Sequence, residues 1–342
     1  MIDFLPDQSQ EQAQESFISF LSREAPITRL RKPQDTSAPR DAQLWKPMAD
    51  LGWLGLGVAQ DQGGLGLGIA DEMLLFVQAG RHLISPALLS TVMGAHLVGA
   101  LGQAQLASDI IEGRAPVGLA SATRPGQLGA RCNGVFHCYD AAQCDWLVAW
   151  DTTGIALLPK SAFMARERVA CLDETVLLEV ASLHDAVPAA WVPAVQAPLQ
   201  HHATILNAAM LVGLAQGARD LAVSYAKIRE QFGKPIGSFQ AIKHMCADMA
   251  VRCEAASAQT IFGALARHES RPDLAFQAAS AKSIAVDAAI ENGAAAVRVH
   301  GGMGFTAECE AHLFLKRAHI LDQTGDNRRR LQDVVLRQAA PV

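Results

Sequence analysis

The 342-residue sequence has no Cys-x-x-Cys pair, and its seven cysteines are an odd number. Cys132, Cys138, Cys144, Cys171, Cys246, Cys253 and Cys309 therefore give no complete disulfide framework, and reduced thiols in a cytoplasmic protein are expected. His137 beside Cys138, with Cys132 and Cys144 near, matches no common zinc spacing, so no metal is expected. No uninterrupted apolar run approaches the roughly 18 residues of a membrane span, although half the residues are hydrophobic. Charge is sparse at 18%, with a net charge of −5. Nucleic-acid binders concentrate positive charge on one face. Here the only tight basic cluster is Arg328-Arg329-Arg330, which reads as a solvated helix face. Met1-Ile2-Asp3-Phe4 shows neither a basic n-region nor an apolar h-region, so export is not expected.

What is present falls into three regions. Residues 1–113 read as a helical domain. Leu44, Met48 and Leu51 recur at helical spacing, and Asp71 to Gly102 is an Ala/Leu-rich helical stretch. Between them lies a glycine-dense loop, Gly52 to Gly57 and Asp61 to Gly66, for which a helix-connecting turn is the better reading and a phosphate loop the alternative. Residues 114–198 change texture. The runs Trp146 to Trp150, Gly154 to Leu158 and Thr175 to Val180, separated by turn residues, predict a small β-barrel or sandwich. Residues 199–342 return to long Ala-rich helices, with Ile242, Met245, Met249, Cys253 and Ala256 forming one stripe suited to a four-helix bundle.

Two C-terminal segments carry a sharper signal. Arg229-Glu230-Gln231-Phe232-Gly233-Lys234-Pro235-Ile236 is followed by Gln240, and later by His300-Gly301-Gly302-Met303-Gly304-Phe305. Together they resemble the C-terminal signature of the acyl-CoA dehydrogenases, which are FAD enzymes. Trp45 to Trp53 and Gln62 to Gly66 are similar to that family's N-terminal domain, with Ala59-Gln60 where the family has Pro-Glu. The resemblance implies a mostly α protein with a central β domain. It also implies that Arg229 contacts the FAD pyrophosphate, where a permanently charged fork makes charge-assisted hydrogen bonds. Phe232 would pack near the adenine side, Gln240 would offer its amide, and Arg298, Gly301 and Gly302 would lie against the adenosine half. The family usually has glutamine at the position of Arg298.

The same resemblance exposes what is missing. The family removes an acidic α-proton with a carboxylate while hydride leaves to the flavin. Its base position reads Thr324, and the alternative base position reads Ala203. A threonine hydroxyl is not a base at neutral pH. Asp322 and Asp326 flank Thr324, but a two-residue offset on a helix turns a side chain by about 200°, and Asp326 reads better as a helix N-cap. The flavin-ring elements are also altered, to Thr123 through Gly129, Phe136-His137-Cys138 and Thr324 through Arg328. In the family, adenosine-side contacts reach an FAD bound mainly by a neighbouring subunit. The expectation is a non-catalytic subunit of a heteromeric acyl-CoA dehydrogenase. It would share FAD with a paralogous, glutamate-bearing partner that binds most of the acyl-CoA, in the manner of family assemblies that degrade steroid side chains. Two alternatives stand beside it: a self-sufficient homo-oligomer using Asp322 or Asp326 as base, and a flavin-free scaffold.

Overall fold

The structure, a computed structural model, describes residues 6–31 and 41–337. Met1 to Phe4, on which the export reading rests, lie outside the described residues. Among those described, no helix is long and apolar enough to cross a membrane.

The chain opens with α1 (Gln8–Glu24), started by a capping box between Asp7 and Gln10. There follow α2 (Trp45–Asp50), α3 (Ile69–Arg81), α4 (Ala87–Ala100) and α5 (Ala104–Ile111). The single helical texture from Asp71 to Gly102 is thus two helices. Leu83 takes a left-handed φ of +52° and Pro86 lacks an N–H, which breaks the ladder. Two guanidiniums, one half-buried and one buried, capture the carbonyls freed at the break. Arg29 donates to the carbonyls of His82 (2.8 Å) and Leu83 (3.2 Å), and Arg317 to those of Leu83 (3.1 Å) and Ile84 (2.6 Å).

Seven strands follow: β1 (Val117–Ala122), β2 (Cys132–Tyr139), β3 (Trp146–Asp151), β4 (Gly154–Pro159), β5 (Met164–Val169), β6 (Leu178–Ala186) and β7 (Ala190–Pro193). They form one mixed sheet, in the order β5-β6-β2-β1-β3-β4-β7, which is the central β domain between the two helical regions. Only β1 and β3 run parallel. Alternation sorts the side chains onto two faces. Leu119, Tyr139, Val148 and Leu157 join the main core, while Ala120, Cys138, Leu147 and Leu158 pack with Phe136 and Phe163 in a separate one. Ser90 on α4 ties the helices to the sheet by donating to the Val117 carbonyl at 2.6 Å.

The last region holds α6 (Leu199–Ile228), a hairpin of β8 (Glu230–Gln231) and β9 (Lys234–Pro235), then α7 (Gln240–His268), α8 (Leu274–His300), α9 (Ala311–Asp322) and α10 (Arg328–Arg337). Helices α6 to α9 form the four-helix bundle. α3 crosses α6 at glycine on both sides: a β-carbon on Gly80 would lie 2.0 Å from the Met210 carbonyl oxygen, and one on Gly213 2.0 Å from that of Val77. The expected stripe on α7 is buried only from Met249 onward. Ile242 and Met245 are half-buried, and most other residues of the first two turns face outward.

Candidate cofactor cradle and the Thr324 turn

The two C-terminal segments sit at the ends of α6 and α8. Tyr225, in the last turn of α6, stacks on His300, the last residue of α8, with ring centroids 4.2 Å apart. Beyond Tyr225 the chain leaves the helix at Arg229 and makes the β8–β9 hairpin, whose turn residues Phe232 and Gly233 both have positive φ, +53° and +76°. That pairing suits a two-residue hairpin, yet a bulky aromatic in left-handed backbone is uncommon. Phe232 is also 91% exposed. Its ring meets Phe239 edge-on, with centroids 6.0 Å apart, while Lys234 lies over the face of Phe239. Beyond His300, Gly301 has φ +62° and ψ −139°, which a side chain would oppose. A β-carbon on Gly301 or Gly302 would meet nothing within 4 Å.

Arg229, Gln240, Arg298, Gly301 and Gly302 are all exposed. Neither Arg229 nor Arg298 has an acidic partner among the described residues, and the open backbone beside the glycines leaves room for a ligand. Free guanidiniums, an exposed ring and uncovered backbone fit the phosphates and adenine of a dinucleotide.

The Thr324 turn is the opposite. Thr324 is fully buried, and each of its polar atoms is engaged. Its hydroxyl donates to the Ile320 carbonyl at 3.0 Å, its amide to that of Leu321 at 3.3 Å, and its carbonyl accepts from Lys282 Nζ at 2.5 Å. Lys282, also buried, donates further to the Asp326 carbonyl at 2.8 Å and that of Asp322 at 3.3 Å. Burial pulls its ammonium down to about 8, against the opposing pull of Asp322 and Asp326. Asn207 donates to the carbonyls of Leu321 (3.1 Å) and Thr324 (3.3 Å). The sheet closes the other side. Ser121 on β1 donates to the Gln323 carbonyl at 2.5 Å, the Thr152 amide donates to Asp326 Oδ2 at 2.6 Å, and the Trp150 indole nitrogen lies 2.4 Å from where a Gly325 β-carbon would be.

These contacts correct the N-cap expected of Asp326. Asn327 caps α10 by accepting from the Arg330 amide at 3.1 Å, and Asp322 accepts from the Arg328 amide at 2.8 Å. Asp326 is buried and joins the sheet to the bundle. The basic triplet is less solvated than expected, since Arg328 pairs with Asp287 and Arg330 with Asp326, leaving Arg329 exposed. Ala203, fully buried on α6, carries no functional group.

Sequence reading missed one cluster. Glu72 on α3 accepts from the Nε2 atoms of His96 on α4 (2.7 Å) and His202 on α6 (2.6 Å). The Gly57 amide, from the glycine-dense loop, adds a third contact at 3.2 Å. Burial raises the Glu72 carboxyl, but the two imidazoles outweigh it and hold the group below the usual carboxylate range. Burial lowers His202, with Glu72 opposing. The ligand atoms lie within 4.8 Å of one another, a set chemically suited to a divalent ion, but the carboxylate is already committed to both rings by hydrogen bonds. Each residue sits alone on its own helix; the available signal was a titratable side chain in an otherwise apolar stretch, as His96 is in α4. The glycine loop itself folds as a turn, with Leu65 N bonded to the Gly55 carbonyl and Leu67 N to that of Leu56.

Family models match both helical regions: the acyl-CoA dehydrogenase N-terminal domain over residues 7–114 and the C-terminal domain over residues 193–325. The chain belongs to the acyl-CoA dehydrogenase family, whose members are FAD-dependent. Among similar proteins, the acyl-CoA dehydrogenase FadE34 of Mycobacterium tuberculosis is 33% identical over 82% of this chain, which spans only 40% of FadE34. The acyl-CoA dehydrogenase IpdE2 of the same organism is 29% identical over 96% of this chain and 98% of its own. A solved structure, the Tcur3481–Tcur3483 steroid ACAD variant, superposes with a TM-score of 0.82 at 22% identity, covering 96% of this chain and 98% of that one.

Proposed function

We propose that this chain is a non-catalytic subunit of a heteromeric FAD-dependent acyl-CoA dehydrogenase that acts in the cytoplasm on an acyl-CoA thioester. The observation that carries the reading is a contrast within one chain. The groups suited to clasp the adenosine half of FAD are exposed and unpaired, whereas the turn that would face the flavin ring is closed and carries threonine.

FAD supplies the hydride acceptor of α,β-dehydrogenation when bound. In this chain Arg229 would hold its pyrophosphate, Phe232, Gln240 and Arg298 would contact the adenosine side, and Gly301 and Gly302 would let it approach the backbone. The ring half does not fit. A flat ring needs van der Waals clearance on both faces, roughly 7 Å in all, whereas the sheet meets residues 323–326 at hydrogen-bond distance. A paralogous partner bearing the glutamate would supply the ring site, the base and most of the acyl-CoA pocket. Loss of a general base costs on the order of 10²–10⁴ in rate, and nothing at the Thr324 turn replaces it. Asp322 and Asp326 are both held by backbone amides, which argues against a self-sufficient homo-oligomer.

The substrate class we favour is a steroid side-chain CoA thioester, supported by the name of the steroid ACAD that shares this fold. Production alone and together with an adjacently encoded, glutamate-bearing dehydrogenase tests the proposal. The mixed complex is expected to be yellow and to oxidise acyl-CoA, and the single chain to be colourless. A yellow, active single chain would overturn the proposal, as would a flavin-free mixture.

A further inference from the structure

The two arms of the cradle have little with which to hold their own spacing. The β8–β9 hairpin has two residues per strand, too few to be stable alone, and the other arm is a glycine pair without side chains. At their roots stand Tyr225 and His300, stacked 23° from parallel. The Tyr225 carbonyl accepts the Arg229 amide at 2.9 Å, so the arginine hangs from that last turn of α6. His300 directly precedes Gly301. Its Nδ1 lies 2.7 Å from the Ala296 carbonyl, which can only accept, so Nδ1 bears the proton and the ring is pinned to its own helix. The imidazole is 7% exposed and offers Tyr225 a fixed plane.

We infer that the Tyr225–His300 stack is a positioning element for the dinucleotide, setting the distance between the guanidinium of Arg229 and the open backbone of Gly301 and Gly302. The inference rests on the reading that these arms hold FAD. Neither ring acts on substrate; the pair works through the groups that follow it. A stacked pair of this kind contributes about 0.5–1.5 kcal/mol, which corresponds to roughly a two- to tenfold change in affinity.

The test uses the co-produced complex, stripped of flavin and titrated with FAD, with elution volume and Tm recorded in parallel. Tyr225→Phe keeps the ring and is expected to bind FAD as the parent does. Tyr225→Leu fills the volume without stacking and is expected to bind two- to tenfold more weakly at unchanged elution volume. His300→Phe, which keeps a ring but loses the Nδ1 bond, is expected to fall between. Parent-like FAD affinity in Tyr225→Leu, alongside a loss in Arg229→Ala, would overturn the positioning role and leave the functional reading standing. Parent-like affinity in both would overturn the functional reading itself. Failure of Tyr225→Leu to assemble would make the ring a folding requirement only, and would also overturn the inference.

Discussion

The ammonium of Lys282 donates a 2.5 Å hydrogen bond to the carbonyl of Thr324, at the centre of a turn where three carbonyls converge on one buried lysine. Replacing Lys282 with methionine keeps the volume but takes that donor from the Asp322 and Asp326 carbonyls and leaves Thr324 only the 3.3 Å bond from Asn207. Each unsatisfied buried polar group costs about 1–3 kcal/mol. The expected loss is about 3 kcal/mol after partial relaxation, read from urea unfolding, and a change below about 0.5 kcal/mol would contradict the role given to this lysine.

The same residue sets a pH dependence. Its folded pKa, about 8, lies below the ordinary lysine value, so between about 8 and that value the unfolded chain binds more protons than the folded one. Stability therefore rises with pH across that window, and the cost of burying the cation stands in full below it. Unfolding followed from pH 7.5 to 9.5, values chosen to span roughly the start of the window, should show a rise in the parent that is missing in Lys282→Met.

Placing a carboxylate at position 324 should not create an enzyme. Thr324 is fully buried and its hydroxyl is spent on the Ile320 carbonyl, so Thr324→Glu forces a larger, charged group into a closed turn. The expected outcome is destabilisation by about 3–5 kcal/mol, with no acyl-CoA oxidation by the single chain. A stable, active Thr324→Glu variant would show that the turn can open onto a complete site.

Arg229 offers a cleaner separation of folding from binding. It is exposed and without an acidic partner, so Arg229→Ala should change stability by less than about 0.5 kcal/mol. A charge-assisted hydrogen bond to phosphate contributes about 1.5–3 kcal/mol, so FAD affinity of the mixed complex should fall on the order of tenfold or more. Unchanged flavin occupancy would remove Arg229 from the cradle.

Phe232 should show a trade between stability and binding. Left-handed backbone costs a non-glycine residue roughly 1–2 kcal/mol, and here it holds a ring that is 91% exposed. Phe232→Gly should leave the chain equally stable or up to about 1 kcal/mol more stable, while FAD affinity of the complex falls. Loss of stability with no loss of flavin would show that the ring serves the hairpin alone.

Much of this was legible in the sequence because the signals were local. Helical periodicity, turn residues between short apolar runs, and the Arg229 and His300 segments are each contained in a few dozen residues. What escaped depends on contacts between distant segments. The strand runs gave no register, so the order of the strands in the sheet could not be read from them. The break at Leu83 is stabilised by Arg29 and Arg317, residues far away on either side of it. The commitment of Asp326 to Thr152 was hidden because an aspartate ahead of a helix is ordinarily its cap, and Asn327 takes that place. The Glu72–His96–His202 cluster needed three helices to assemble.

On the proposed reading, this chain clasps the adenosine half of FAD and leaves the dehydrogenation to its partner. The most direct measurement is the steady-state oxidation of a steroid side-chain acyl-CoA with an artificial electron acceptor, by the purified single chain supplied with excess FAD and by the co-produced complex. Under that reading the complex turns over and the single chain does not. Sustained turnover by the single chain would contradict it.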